Sequence, residues 1–369
     1  MPTTSPKAVN SAARDMAFEM NDRELMLRRM SDLAVLPAGK FAPLERGLID
    51  MVVASVLSRL DVTTRRRLAE RVAQLPEGPA ELLLALARDE IEVAGPVLRN
   101  NLNLQTNDLV QIVRDYPGQH QMAIAERKML PAPVVDALVE CADTEAICRM
   151  LANSAAEISN RTFEVLVRRS ANEPPFQQLL LARSELNMRL AQMMFWWAPP
   201  ETRREILIRF SVERRALHAA LDGLLDVGVL AEKADDALKA ILSLVKPPVV
   251  ATRQQIARLI DQATRHERDA FMAEIAFIGG IRPETAFRIF NDLGGEPMAV
   301  FSKAIGMGRN DFSDLMTAVI GFRGVDQADK NWLDQLIATF DVISNDRADL
   351  VLHCWDWILS TEAQVPDSA

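Results

Sequence analysis

Five stretches of the chain decide its fold: LPEGPAELLL at residues 75–84, LQTNDLVQIV at 104–113, LPAPVVDALV at 130–139, ISNRTFEVLV at 158–167 and LNMRLAQMMF at 186–195. Their first residues are 29, 26, 28 and 28 positions apart. Each opens on an aliphatic residue, continues with Pro, Gln, Ser or Asn, and closes on an apolar pair. The pairs are Leu83-Leu84, Ile112-Val113, Leu138-Val139, Leu166-Val167 and Met194-Phe195. Leu109, Val135 and Phe163 stand three residues before their pairs, one helical turn earlier and on the same face. Residues 103–107, Ser159 and Asn160 offer N-caps, and Pro131 or Pro133 suits a first turn.

A second helix is expected upstream of each stretch, carrying Val97-Leu98, Ala123-Ile124, Leu151-Ala152 and Leu179-Leu180. Eight residues before the first three of these pairs lie Asp89, Asp115 and Asp143; Asn172 and Asp61 stand beside the matching positions of the flanking units. Acids and amides recurring there predict N-caps at the positive end of the helix dipole. Two helices of about ten residues cannot bury their own apolar faces, so such units must stack in series around a shared core. The expected architecture is an all-α protein, an α-solenoid of two-helix repeats. Gly95-Pro96 falls inside one helix, where proline removes a backbone donor and either kinks the helix or delays its start.

Composition agrees with a helical globular chain. Of 369 residues 49% are hydrophobic and 25% charged, with one tyrosine, Tyr116, and few hairpin dipeptides, which makes an all-β fold untenable. Three cysteines exclude a disulfide scaffold. The first residues, MPTTSPKAVNSAARDMAFEMN, lack the apolar stretch of a secretory signal, and the run 48–57 is too short to span a bilayer, so a cytoplasmic protein is expected. Of the net charge of −9, residues 326–369 carry −7. Thirty-four of the bases are Arg, and the clusters Arg65-Arg66-Arg67, Arg168-Arg169, Arg203-Arg204 and Arg214-Arg215 are interleaved with glutamates. That mixing describes solvated helix faces rather than a basic stripe for nucleic acid.

The pattern changes after Trp196-Trp197-Ala-Pro-Pro. Helices are expected from Pro200 to Ala220, Ala231 to Leu244, Thr252 to Ala263 and His266 to Phe277, with Lys246-Pro247-Pro248 as punctuation. GGIRPETAFRIF (279–290) aligns with IGMGRNDFSDLM (305–316) at an offset of 26, each reading as a glycine ending one helix, an apolar plug and a new helix. Acidic helices around 331–343 and 347–359 carry Trp332, Trp355 and Trp357. The expected organisation is a disordered tail at 1–15, capping helices at 16–60, repeats at 61–198, a helical bundle at 199–362 and a disordered tail at 363–369.

The stretches DEIEVAGPVLRNNLNLQTNDLVQIV (89–113) and MAIAERKMLPAPVVDALVECADTEAICRMLANSAAEISNRTFEVLV (122–167) resemble an uncharacterised bacterial family, a domain of unknown function with HEAT-like, leucine-rich-variant-like helical repeats. Asp89, Val93, Pro96, Leu98, Ala125, Arg127, Leu130, Asn153 and Ala156 carry the likeness, which is best between Leu60 and Phe210. It implies a right-handed solenoid of HEAT-like repeats and a protein-binding scaffold, and it transfers no catalytic residue.

No motif implies a catalytic residue, a metal site or a cofactor. The four histidines form no HExxH, and Cys141 and Cys148 fall on either side of a helix boundary at Asp143-Thr144. Two features are candidates for partner binding. Asn101, Arg127, Asn153 and Arg183 recur near equivalent helix ends and would line one ridge, unless they are simply solvated ends. Met193, Trp196 and Trp197 belong to a run of Met and aromatic residues that suits either a core or an adaptable contact surface. The functional expectation is a non-catalytic scaffold or adaptor for a protein partner. The alternatives are nucleic-acid or nucleotide binding through the Arg clusters, and a ligand pocket near Trp196.

Overall fold

Eighteen α-helices and no strand are defined among the residues described by the computed structural model, which are 47–48, 51–52, 54–55, 57, 60–75, 80–214, 216, 250–323 and 330–362. The expected tails at 1–15 and 363–369, most of 16–60, and the helix and Pro-Pro punctuation expected between 231 and 248 lie outside them. The chain forms two compact units, Met1–Leu166 and Val167–Ala369.

In the first unit the helices are α1 (Val62–Val72), α2 (Ala80–Ala87), α3 (Ile91–Asn100), α4 (Thr106–Asp115), α5 (Gln119–Ala125), α6 (Ala132–Cys141) and α7 (Thr144–Ala152); α8 (Asn160–Arg169) crosses the boundary. Helix α1 packs on α3, α3 on α5 and α5 on α7, while α4 packs on α6. Helices α1, α3, α5 and α7 therefore form one layer, the odd layer, and α4 and α6 pack together beside it. The apolar pairs direct this. Leu83, Ile112, Val113 and Leu138 are buried at matching places in α2, α4 and α6, and Leu109, Val135 and Phe163 are buried one turn before. Val97, Leu98, Ala123, Ile124 and Leu151 are buried in the odd layer. Each fully buried aliphatic side chain contributes about 1.5–3 kcal/mol.

The helix starts follow local chemistry. Asp61 accepts from the Thr64 N–H at 3.0 Å and Asp143 from the Ala146 N–H at 2.8 Å, both as side-chain N-caps. The Thr64 hydroxyl, which donates to Asp61 at 2.7 Å, and the Thr64 N–H hold the Asp61 carboxyl below its ordinary value. Ser159 accepts from the Thr162 N–H at 3.2 Å, and Pro131 caps α6 with Pro133 in its first turn. Three expected caps act otherwise, and Asn172 is one, since Pro174 takes the N-cap position of the helix that begins at Pro175. Asp115 is the last residue of α4, so it starts nothing. Asp89 stands just before the N-cap position of α3, and its carboxylate takes both arms of Arg65, Nε at 2.6 Å and Nη2 at 3.0 Å, which ties α1 to the start of α3. Helix α3 runs through Gly95-Pro96 without stopping.

Neighbours in the odd layer are joined end to end by side chains. Asn101, the C-cap of α3, donates from Nδ2 to the carbonyl of Val72 at the end of α1, at 3.3 Å. Arg127, two residues past α5, donates to the carbonyls of Leu98 and Asn101 at the end of α3. Asn153, the C-cap of α7, donates to the carbonyls of Ala125 at 2.8 Å and Arg127 at 2.7 Å. Both asparagines also accept a backbone N–H two residues on, from Asn103 at 2.8 Å and Ala155 at 3.0 Å. The carbonyls left open at each helix end are thus capped by the next helix of the layer.

The second unit contains α9 (Pro175–Leu181), α10 (Met188–Met194), α11 (Pro200–Arg209), α12 (Arg253–Thr264), α13 (Arg268–Gly279), α14 (Pro283–Asn291), α15 (Glu296–Ala304), α16 (Arg309–Arg323), α17 (Lys330–Val342) and α18 (Asn345–Glu362). The lateral cap recurs where Arg209, at the end of α11, donates to the Leu181 carbonyl at the end of α9, at 2.9 Å. Helix α11 is shorter than expected. Ser211 Oγ donates to the Leu207 carbonyl at 2.6 Å, taking the acceptor that a continuing helix would use. The internal duplication is real in local structure. Gly280 and Gly306 close α13 and α15 at φ 61° and 76°, Ile281 and Met307 are buried plugs, and Ile289 and Leu315 are buried in the helices that follow. Helix α18 is the centre of this unit, packing on α10, α14 and α15. Its Trp355 is fully buried and donates from Nε1 to Gln192 Oε1 at 2.9 Å.

Two outcomes are expected. Leu138→Ala lowers unfolding stability by about 2–5 kcal/mol in urea titration, as removal of a fully enclosed side chain does. Asn153→Ala costs about 1–3 kcal/mol, and Asn153→Asp costs more than Asn153→Ala, because a carboxylate then faces two carbonyls that have lost their donor. The same titration ranks the two variants.

Candidate functional site

The residues that the sequence singles out for partner binding have other duties. Asn101 is inaccessible and Arg127 is 3% exposed, so neither stands on an open ridge. Both, with Asn153, join successive helix ends. Burial lowers the Arg127 guanidinium to about 10 from 12.5, which leaves it charged at neutral pH. Because the folded value lies below the unfolded one, burying this charge costs stability at neutral pH, and the cost is relieved only as pH rises through about 10. The negative end of α3, where both acceptor carbonyls lie, works against that cost. Arg183 is 9% exposed and pairs with Glu185.

Met193 and Trp196 are core residues of the second unit, and Trp197 is half-buried with its Nε1 donating to Ser170 Oγ at 2.9 Å. Phe195, Trp196 and Trp355 form an aromatic cluster with ring centroids 4.8–5.9 Å apart. The Arg288 guanidinium lies 4.4 Å over Trp196 and that of Arg203 lies 5.2 Å over Phe195. The run is therefore a packed centre with cations on its faces.

Arg203 leads to a feature that the sequence does not suggest. Its Nη1 lies 2.8 Å from Asp292 Oδ1 and 2.9 Å from Glu296 Oε2, its Nη2 2.9 Å from Asp292 Oδ2, and its Nε 2.9 Å from the Ala198 carbonyl. Burial opposes the charge of Arg203, and the Asp292 and Glu296 carboxylates overcome it, so its pKa lies above the ordinary value. The partners are 89 and 93 residues away in sequence, so no local pattern reports them. Above this triad opens a pocket of about 510 Å³, with Pro199, Pro200, Trp332 and Leu336 as apolar wall and Glu201, Arg204, Glu296, Gln335 and Thr339 as polar lining. Trp332 is fixed by its Nε1 donating to the Gly294 carbonyl at 3.0 Å.

Each arginine cluster has at least one member paired with a carboxylate of the same chain. Arg65 pairs with Asp89, Arg66 with Glu70, Arg169 with Glu173, Arg203 with Asp292 and Glu296, and Arg214 with Asp346 and Asp349. Glu126 accepts from Arg99 and Arg149, and the Arg99 hydrogen bond, ahead of the burial cost and the Arg149 bond, holds its carboxyl below the ordinary range. Cys141 closes α6 in the open, Cys148 lies in α7, and Cys354 is buried with its thiol pushed up to about 12 by desolvation. Exposed apolar side chains of the first unit include Leu102 and Met129, on the turns that follow α3 and α5, at 60% and 63% accessibility.

Among the described residues no helix is long and apolar enough to cross a membrane. No curated protein and no solved structure matches the chain. A family model does match, over residues 93–353, and so reaches beyond the repeats into most of the second unit. The chain belongs to that family, described as an uncharacterised protein conserved in bacteria (DUF2336).

Proposed function

We propose that this chain is a non-catalytic interaction scaffold of the bacterial cytoplasm, whose first part is a right-handed α-solenoid of HEAT-like repeats that presents a surface to a protein partner. The observation behind this reading is the serial capping of α1, α3 and α5 by side chains of Asn101, Arg127 and Asn153, each donating to carbonyls at the end of the helix before it. A stack held that way has each unit touching only its neighbours, and its usable feature is an extended, repetitive surface rather than a convergent site. Leu102 and Met129, exposed on successive turns beside the caps, give that surface apolar contact points. The reading through nucleic acid needs unpaired arginines on one face, and the intrachain pairing of Arg65, Arg66, Arg169, Arg203 and Arg214 weighs against it.

The test is in-cell crosslinking of the full chain beside a Leu102→Ser, Met129→Ser double variant. Both sites are exposed, so the variant keeps the wild-type unfolding midpoint. A discrete protein partner recovered with the wild type and reduced at least about fivefold with the variant is the expected outcome. Equal recovery from both chains, or recovery of nucleic acid that raised salt releases, overturns the proposal.

A further inference from the structure

The pocket over the Arg203 triad has features of a receptor for a cation. Among the described residues its charged lining is two carboxylates, Glu201 and Glu296, and one guanidinium, Arg204. Glu296 is only 4% exposed, and the Arg203 that pairs with it also pairs with Asp292. A carboxylate held away from water with its donor shared is costly, and a cation entering beside it lowers that cost.

The geometry around Glu296 is specific. Arg203 takes its Oε2 at 2.9 Å, and among the described residues its other oxygen has no hydrogen-bond donor. Glu296 nevertheless lines the pocket. Gly294 leaves room for this carboxylate, since a Cβ there would fall 2.2 Å from Glu296 Oε2 and 2.7 Å from Arg203 Nη1. On the apolar side, Trp332, Pro199, Pro200 and Leu336 offer a wall for a hydrocarbon stem, and the tryptophan is held in place by its bond to Gly294. An acidic ligand would have to bring its charge against Glu296. The rim pair Glu201 and Arg204 lies on one exposed turn of α11, where water screens it more than it screens Glu296.

We propose that this pocket binds the side chain of an arginine carried by a protein partner, the stem lying along Trp332 and the prolines and the guanidinium reaching the open oxygen of Glu296. Arginine fits better than lysine because its planar head both stacks on an indole and donates in a fork. That the arginine belongs to a protein rests on the scaffold reading; the pocket itself does not.

The probe is N-acetyl-L-arginine amide, titrated into the full ¹⁵N-labelled chain while the indole N–H signals are followed, the Trp332 signal being assigned by its loss in Trp332→Phe. The expected result is a saturable shift of that signal with a dissociation constant of about 1–10 mM, as suits one side chain in one pocket. The uncharged isostere, N-acetyl-L-citrulline amide, binds at least about tenfold more weakly, and the lysine analogue severalfold more weakly. Glu296→Gln lowers arginine affinity about tenfold or more. Since that change also removes a buried partner of Arg203, a second variant, Gln335→Trp, closes the mouth without touching the triad and abolishes the shift. Citrulline or lysine binding as tightly as arginine overturns the proposal. So does a Trp332 shift that survives Gln335→Trp, or no saturation up to ~50 mM. A failed titration removes the pocket and leaves the scaffold reading standing; a successful one in a chain without a protein partner removes only the latter.

Discussion

Short helices leave a large fraction of their backbone unsatisfied, and that constraint governs the first unit. A helix has four carbonyls at its C-terminus without an internal acceptor role, whatever its length. In α5, with seven residues, those four are more than half of the helix. Water can serve them at a surface, but not where the next helix is stacked over the end. Asn101, Arg127 and Asn153 meet the need, each reaching from one helix of the odd layer to carbonyls of the helix before it. The apolar pairs supply most of the stabilisation, yet they are compatible with some sliding between neighbours. The caps are directional and fix the register.

A similar economy appears between the layers. Gln121 in α5 is buried and donates to the Val113 carbonyl near the end of α4 at 2.8 Å, while its Oε1 accepts the Gly118 N–H that opens its own helix. In the second unit Gln177 in α9 is buried too and donates to the Ser170 carbonyl just beyond α8 at 3.0 Å. The two glutamines are 56 residues apart, two repeat lengths. Asparagine and glutamine suit such places because one amide both donates and accepts, and neither brings a charge into the interior.

Apolar pairs at intervals of 26 to 29 residues were legible because packing acts on each unit in the same way and leaves a repeated trace. Caps made by a residue on its own helix were legible for the same reason, as Asp61, Asp143 and Ser159 illustrate. The recurrence of Asn101, Arg127 and Asn153 was visible as well, but not its meaning. A polar residue at a helix end looks the same in sequence whether it faces water or a neighbour's carbonyl, and only burial separates the two. Asp89, Asn172 and Asp115 failed as caps because they fall one, two and three residues before the N-cap positions that the helices take, at Glu90, Pro174 and Gly118. The Arg203 triad had almost no local trace, since its acids lie 89 and 93 residues away. The doublet Gly294-Gly295 before Glu296-Pro297 was the one available sign that backbone and a side chain approach closely there. The acidity of the C-terminal segment is likewise resolved by distant partners: Asp346 and Asp349 meet Arg214, Asp356 meets Arg282 and Asp341 meets Arg309. Charges placed this way specify which helices meet more than they add stability.

The presence of an arginine at 127, between two asparagines in otherwise equivalent places, follows from helix length. Asn101 and Asn153 are themselves the C-caps of α3 and α7, one residue past the last helical turn. Helix α5 ends at Ala125 with Glu126 as its C-cap, so position 127 is one residue further along. An asparagine there has too short a reach to the end of α3. Arginine has the reach, and its planar head contacts two carbonyls at once, those of Leu98 and Asn101. The consequence is a buried charge with no carboxylate among its hydrogen-bond partners, its Nε left without an acceptor. A neutral long side chain such as glutamine would avoid the charge but supply only one donor group. The position therefore trades desolvation of a cation for a two-point cap on a negative helix end. Asn153 then uses the carbonyl of this same arginine, so the odd step is built into the cap that follows it.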